Sequence, residues 1–279
     1  MNLLLMIYAS LLTIIIIWAM YKGVKARKHF LRIGGLHSWQ KSWLDFLILF
    51  WILIVSFIAS PILVGKISSY WIQAYAESTY YLFGVALAGH LISLIIFITT
   101  LNKGKNILDW GCLDRKGTSW IEGFRQGGFL FLMSYPSMIL VAILWESFLS
   151  WMINLGWIGS APHQEALSVL MGLESPAEIV LFIVLAVVFA PVLEELLFRG
   201  ILFRFLVSQW GFWAAALSSG LSFAIIHYNW FALVSLWWVG FLLAWVYWKT
   251  SSIKTAIVFH ACFNANTCIL VLLGAEELL

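Results

Sequence analysis

Three stretches in the C-terminal half have residue types and spacings suited to chemistry. Glu194-Glu195-Leu196-Leu197-Phe198-Arg199-Gly200 sets two adjacent carboxylates and an arginine inside an apolar run, Ile179 to Leu206. Phe223-Ala224-Ile225-Ile226-His227 ends the next apolar run with a histidine. Phe259-His260-Ala261-Cys262-Phe263-Asn264 places a histidine and an amide four residues apart, on one face of a helix. One charged group at the centre of a bilayer helix costs roughly 2.5–3.5 kcal/mol on insertion scales, so three together imply partners and a use.

A helix turns about 100° per residue, so Glu194 and Glu195 point to different faces. Glu195 and Arg199 are four apart and can pair along the helix, which leaves Glu194 to face the bundle interior. Pro191 removes a backbone donor beside it and loosens that turn. A carboxylate and a histidine can position and deprotonate a water, and a histidine with an amide can stabilise the oxyanion that forms. Glu194, His227 and His260 would also suit a catalytic divalent metal such as zinc, with its fourth position open. Taken singly, each stretch has a plainer reading: a Glu–Arg clamp, an interfacial histidine, and a hydrogen-bonding pair that joins helices.

The elements that must position these residues are transmembrane helices. Of 279 residues, 63% are hydrophobic and 10% charged, far from the balance of a soluble domain. Spans of about 20 apolar residues are expected at Leu3–Met20, Trp43–Val64, Tyr80–Leu101, Gly128–Trp151, Ile179–Leu206, Phe212–His227, Phe231–Trp248 and Ile253–Leu273. The fold class is therefore all-α: a single integral membrane domain over residues 1–279, a bundle of about eight transmembrane helices with its site inside the membrane. Lys22, Lys25, Arg27, Lys28, Arg32 and Lys41 follow the first span, and Lys103, Lys105, Arg115, Lys116 and Arg125 follow the third. Arg204 stands at the inner end of the fifth, and Lys249 and Lys254 bracket the last turn. With the N-terminus outside, only Lys66 of the 16 basic residues falls on the outer side, as the positive-inside rule requires. The first span lacks the basic start of a signal peptide and reads as retained.

Smaller features fill in the outline. Ser175-Pro176-Ala177-Glu178 has the form of a capping box opening the fifth helix. Residues 160–165 fit either a surface loop or a short interfacial helix, and the tail Ala275–Leu279 is acidic. His90 reads as a helix–helix hydrogen-bonding group, Glu146 as near-interfacial, and Trp237 and Trp238 face either lipid or a cavity. Cys112, Cys262 and Cys268 show no metal-type spacing and read as free thiols. No nucleic-acid motif is present. One geometric conflict stands out: straight helices with Arg204 at the inner end would leave Glu194 and His227 about 12 Å apart in depth.

Glu194-Glu195-x-x-x-Arg199-Gly200, Phe223-x-x-x-His227 and His260-x-x-x-Asn264, in this order on successive apolar stretches, resemble the three motifs of the CPBP intramembrane proteases. That family includes CAAX prenyl proteases of the Ras-converting-enzyme type and the bacteriocin self-immunity (Abi) proteins. The resemblance covers residues 178–273, and the four helices of residues 1–155 carry no such motif. It implies an endopeptidase in which Glu194 activates water with help from His227. His260 and Asn264 would stabilise the tetrahedral intermediate, and Glu195 and Arg199 would support the site. Both metal-dependent and metal-free mechanisms are proposed for the family. The implied partners are the lipid bilayer and a membrane protein or peptide, lipid-modified or ending in a hydrophobic tail. The implied location is a bacterial cytoplasmic membrane. Two other readings use the same residues: a proton-coupled carrier with a Glu/His relay, and a non-catalytic immunity or scaffold protein.

Overall fold

In a bilayer the backbone must satisfy its own hydrogen bonds, so an apolar chain of this kind resolves into helices. The computed structural model describes residues 3–30, 36, 42–71, 78–103, 114, 117–159 and 165–274. Cys112, the basic residues Arg32, Lys41, Lys105, Arg115 and Lys116, the segment Ser160–Gln164 and the tail Ala275–Leu279 lie outside the described residues, and so do the expectations placed on them. The helices are α1 (Leu3–Phe30), α2 (Trp43–Trp71), α3 (Thr79–Lys103), α4 (Trp120–Asn154), α5 (Glu165–Met171), α6 (Pro176–Val184), α7 (Ala190–Glu195), α8 (Arg204–Ile225), α9 (Leu233–Thr250) and α10 (Ile253–Leu272). Two wider π-wound turns, Leu185–Phe189 and Leu196–Phe203, join α6 to α7 and α7 to α8.

Seven helical stretches among the described residues are long and apolar enough to cross a membrane, and the protein is an integral, multi-pass membrane protein. One of the seven, Pro176–Ile225, has 50 residues, about 75 Å at the helical rise and more than twice the hydrocarbon thickness. It is two rods. Gly211 breaks it with φ 74° and ψ 178°, a conformation essentially restricted to glycine. Dividing the stretch there gives the eight-helix bundle expected from the apolar runs.

The position of this break removes the depth conflict. The helix carrying Glu194 does not end at Arg204, which is buried at 4% exposure, but continues to the break. Glu195 precedes Gly211 and His227 follows it by the same sixteen residues, about 24 Å of rise each way. The two returning rods therefore bring their functional residues level.

Close crossings lock the C-terminal helices together. A Cβ on Gly240 of α9 would stand 2.7 Å from the Gly220 Cα of α8, and one on Gly127 of α4 would stand 2.8 Å from the Thr255 carbonyl of α10. Ser251 takes a left-handed conformation (φ 54°), and Ser252 accepts a hydrogen bond from the Thr255 amide. This two-residue turn makes α9 and α10 packed neighbours. The N-terminal helices are tied in by a polar bridge. Tyr8 of α1 donates to Asn266 Oδ1 of α10 at 2.6 Å, and Asn266 Nδ2 donates to the Tyr135 hydroxyl of α4 at 3.1 Å.

Several smaller expectations meet a different geometry. Ser175 does stand before the proline-led α6, but it makes no capping bond, and its hydroxyl lies 3.1 Å from that of Tyr80. His90 bonds to the Ala86 carbonyl on its own helix, while its ring stands edge-on to Phe57 of α2. A mid-helix imidazole reaches the carbonyl one turn back more readily than it reaches another helix. Trp237 and Trp238 are half-buried and spend their indole N–H groups on the Leu217 carbonyl and the Ser137 hydroxyl.

Gly240→Ala or Gly220→Ala must push α8 and α9 apart, an overpacking cost of about 1–3 kcal/mol. Either variant should unfold in detergent several degrees lower than wild type. Gly128→Ala, whose Cβ meets open space, should unfold with wild type. Equal midpoints for all three variants would show that the crossing does not set stability.

Candidate active site

The most deeply buried charged residues lie on α7 and the π turn that follows. Glu195 and Arg199 are each 0% exposed, and Arg199 Nη1 donates to Glu195 Oε1 at 2.8 Å. The four-residue spacing anticipated this pair. Arg199 also reaches out of its own helix: Nη2 donates to the Gly240 carbonyl at 2.8 Å, and the guanidinium lies 4.8 Å from the Phe223 ring centre. The α8–α9 glycine crossing is what brings that carbonyl within reach.

Glu195 is more than a clamp for arginine. The same Oε1 that meets Arg199 also accepts from His260 Nδ1 at 2.9 Å. A bond from Nδ1–H to a carboxylate fixes the tautomer, leaving Nε2 on the working side of the ring. His260 Nε2 faces Glu194 Oε2 at 3.8 Å, too long for a hydrogen bond. Glu194 Oε2 is buried and has no hydrogen-bond partner. Such an atom calls for an explanation in strain, chemistry or a bound water, and Glu195 Oε2 is in the same state. A separation of that length between an acceptor and an imidazole nitrogen also suits a bridging water.

His227 lies in the turn after α8 and is exposed on the protein surface. Its Nδ1–H donates to the Phe223 carbonyl at 2.7 Å, so Nε2 keeps its lone pair. The Phe223 ring stands 4.6 Å from the His227 ring centre and 5.4 Å from that of His260. Both imidazoles pack against one phenyl ring. Asn264 is half-buried one turn beyond His260 and donates through Nδ2 to the Ala186 carbonyl at 2.7 Å.

The structure thus gathers Glu194, Glu195, Arg199 and His260 into one contact chain. His227 joins it through Phe223, and Asn264 through the helix that carries Glu194. A zinc bound by Glu194, His227 and His260 would need all three to converge on one point. The Phe223 ring packs against both imidazoles, and no such group of three is present among the described residues. The arrangement does not fit that ligand set, and no step below uses it. The Glu195–His260 bond, the Gly240 acceptor and the place of Phe223 were not foreseen from the sequence. Only Phe223, one turn before His227, carried a sequence signal.

These positions can be set beside known proteins. Residues 176–266 match the model of the type II CAAX prenyl endopeptidase Rce1-like family. The chain is 33% identical over 92 residues to the protein named "Putative membrane peptidase YdiL" of Bacillus subtilis (strain 168), a match covering 33% of this chain and 38% of that relative. The chain thus aligns with well under half of that relative's length. No solved structure matches. All six charged, imidazole and amide side chains described above fall inside the matched segment, so the likeness to the type II CAAX prenyl endopeptidase Rce1-like family covers about a third of the chain and takes in every candidate site residue.

Proposed function

We propose that the protein is an intramembrane endopeptidase that hydrolyses a peptide bond in a membrane-associated substrate. The observation that carries this reading is Glu194 Oε2, buried, without a hydrogen-bond partner and facing His260 Nε2 at 3.8 Å. A water between these two atoms would be held by both and would attack a substrate carbonyl. The new C–O bond forms as the proton passes to the Glu194–His260 pair. Collapse breaks the C–N bond, and the proton returns to the leaving amine. Glu195 and Arg199 keep His260 in the required tautomer and orientation. The second Nδ2–H of Asn264, beyond the one given to Ala186, supplies an oxyanion donor. His227, whose ring packs on Phe223, would line the substrate side of the site.

The surface beside the site supports a hydrophobic substrate class. A groove of about 400 Å³ is lined by Trp43, Phe46, Phe50, Trp51, Leu202 and Trp210, with Ser218 and Ser222 also on its wall. Ser222 adjoins Phe223, the ring that both histidines contact. An apolar groove opening within a membrane span fits a hydrocarbon modification or a hydrophobic tail on the substrate. The charge placement supports an N-terminus outside and basic loops in the cytoplasm.

Glu194→Gln preserves shape and removes the base, so it should lower turnover by about 10³-fold or more while the protein still inserts and folds. Mass spectrometry of peptide termini, comparing membrane and secreted fractions of wild-type and Glu194→Gln cells, would reveal the cleaved bond as one terminus lost in the variant. Unchanged termini would sink the hydrolase reading. Ion-dependent flux in proteoliposomes, lost in Glu194→Gln, would favour a carrier. Ser218→Phe should raise KM for the substrate so found while leaving kcat within about twofold.

A further inference from the structure

The helix ladder around Pro191 has a gap, and a side chain from another helix fills it. In the π turn Leu185–Phe189 the Ala190 N–H bonds to the Leu185 carbonyl. In an α-helix that N–H would have gone to the carbonyl of Ala186. In π winding the donor to Ala186 would be residue 191, which is proline and has no N–H. In the winding observed, the Ala190 N–H is taken by Leu185 and residue 191 has none, so neither supplies Ala186 with a backbone donor. Asn264 Nδ2, from α10, supplies one at 2.7 Å.

From this geometry we infer that Asn264 is a positioning residue. Its amide replaces the ladder donor that Pro191 lacks and thereby fixes the winding that aims Glu194. The consequence is rotational. One residue more or less in the turn before α7 swings every following side chain by about 100°. Glu194 lies three residues after the proline, and its Oε2 keeps its place opposite His260 only in the winding observed. The same α10 helix carries both halves of this register, since His260 sets one partner of the carboxylate and Asn264 holds the turn that delivers it. A second donor acts similarly on the far side. Ser219 of α8, 0% exposed, donates to the Phe198 carbonyl at 3.2 Å inside the π turn Leu196–Phe203. The short α7 segment with the two glutamates is therefore pinned on both flanks by side chains of other helices.

Pro191 makes the inference testable, because Pro191→Ala restores the missing N–H. In the π winding observed, residue 191 then supplies a backbone donor to Ala186. The role of Asn264 in the ladder, and only that role, should become dispensable. The experiment is a double-mutant cycle of Asn264→Ala and Pro191→Ala in the full chain, in nanodiscs. One readout is amide hydrogen exchange of the peptide spanning residues 187–195. The other is turnover of the substrate identified by the terminal-peptide comparison. Asn264→Ala alone should exchange about tenfold faster than wild type over that peptide. The double variant should return to within about threefold of wild type, and its turnover should exceed that of Asn264→Ala by about tenfold. Exchange unchanged in Asn264→Ala, or left fast in the double variant, would overturn the ladder role. Protection restored with no gain in turnover would overturn the positioning role. The turnover arm rests on the hydrolase reading, whose own control is Glu194→Gln. Cleavage retained by Glu194→Gln would count against that reading and leave the exchange result standing.

Discussion

A buried ion pair holds the site together. Glu195 and Arg199 are both fully removed from the surface, where removing one partner of such a pair commonly costs about 3–5 kcal/mol because the other charge is left uncompensated. The pair is tolerated because its members are engaged on several sides. Arg199 meets a carboxylate, the Gly240 carbonyl and the face of Phe223, and Glu195 meets Arg199 and His260. Each partner comes from a different helix: α9 through Gly240, α8 through Phe223 and α10 through His260. The electrostatic demand of one charge pair thus fixes the mutual placement of the helices that carry the chemistry.

The neighbouring carboxylate shows why two glutamates stand together. Glu195 shares its Oε1 between two donors, Arg199 and His260, while its buried Oε2 has no hydrogen-bond partner. Glu194 is turned to another face and keeps one oxygen without a hydrogen-bond partner. A carboxylate fully committed to an arginine would be a poor base, and one with no support would be costly to bury. Adjacent positions on a helix divide these roles with a single 100° step. His260 then connects them, one ring nitrogen to each glutamate.

Much of this was legible in the sequence, and the limits have physical causes. The apolar runs gave the helices because length and composition alone decide whether a segment can cross a bilayer. The four-residue spacing gave the Glu195–Arg199 pair because that contact is internal to one helix. Arg204 was misread as the inner end of its helix because a basic residue after an apolar run ordinarily marks the membrane surface. Gly211 was the true signal, since the break needs a backbone conformation only glycine adopts readily. The Glu195–His260 and Asn264–Ala186 bonds were not readable, because they depend on how distant helices rotate against one another. The π turns were hidden for a related reason: an extra residue in a turn leaves no mark in hydropathy. Pro191 announced a weakened ladder without saying which carbonyl would lose its partner.

Irregular winding is expensive at membrane depth, where an unpaired carbonyl has no water to turn to. It survives here where other helices supply the missing donors. Asn264 meets Ala186 on one side of the glutamates and Ser219 meets Phe198 on the other. The irregular turns and the catalytic candidates coincide because they answer the same requirement. A regular α-helix would fix the direction of Glu194 by its own repeat, whatever the position of the partner helices. Two wider turns free that direction from the repeat, and side chains on α8 and α10 then set it. The carboxylate is thereby aimed by the helices that bring His227 and His260, so base and imidazoles share one frame of reference.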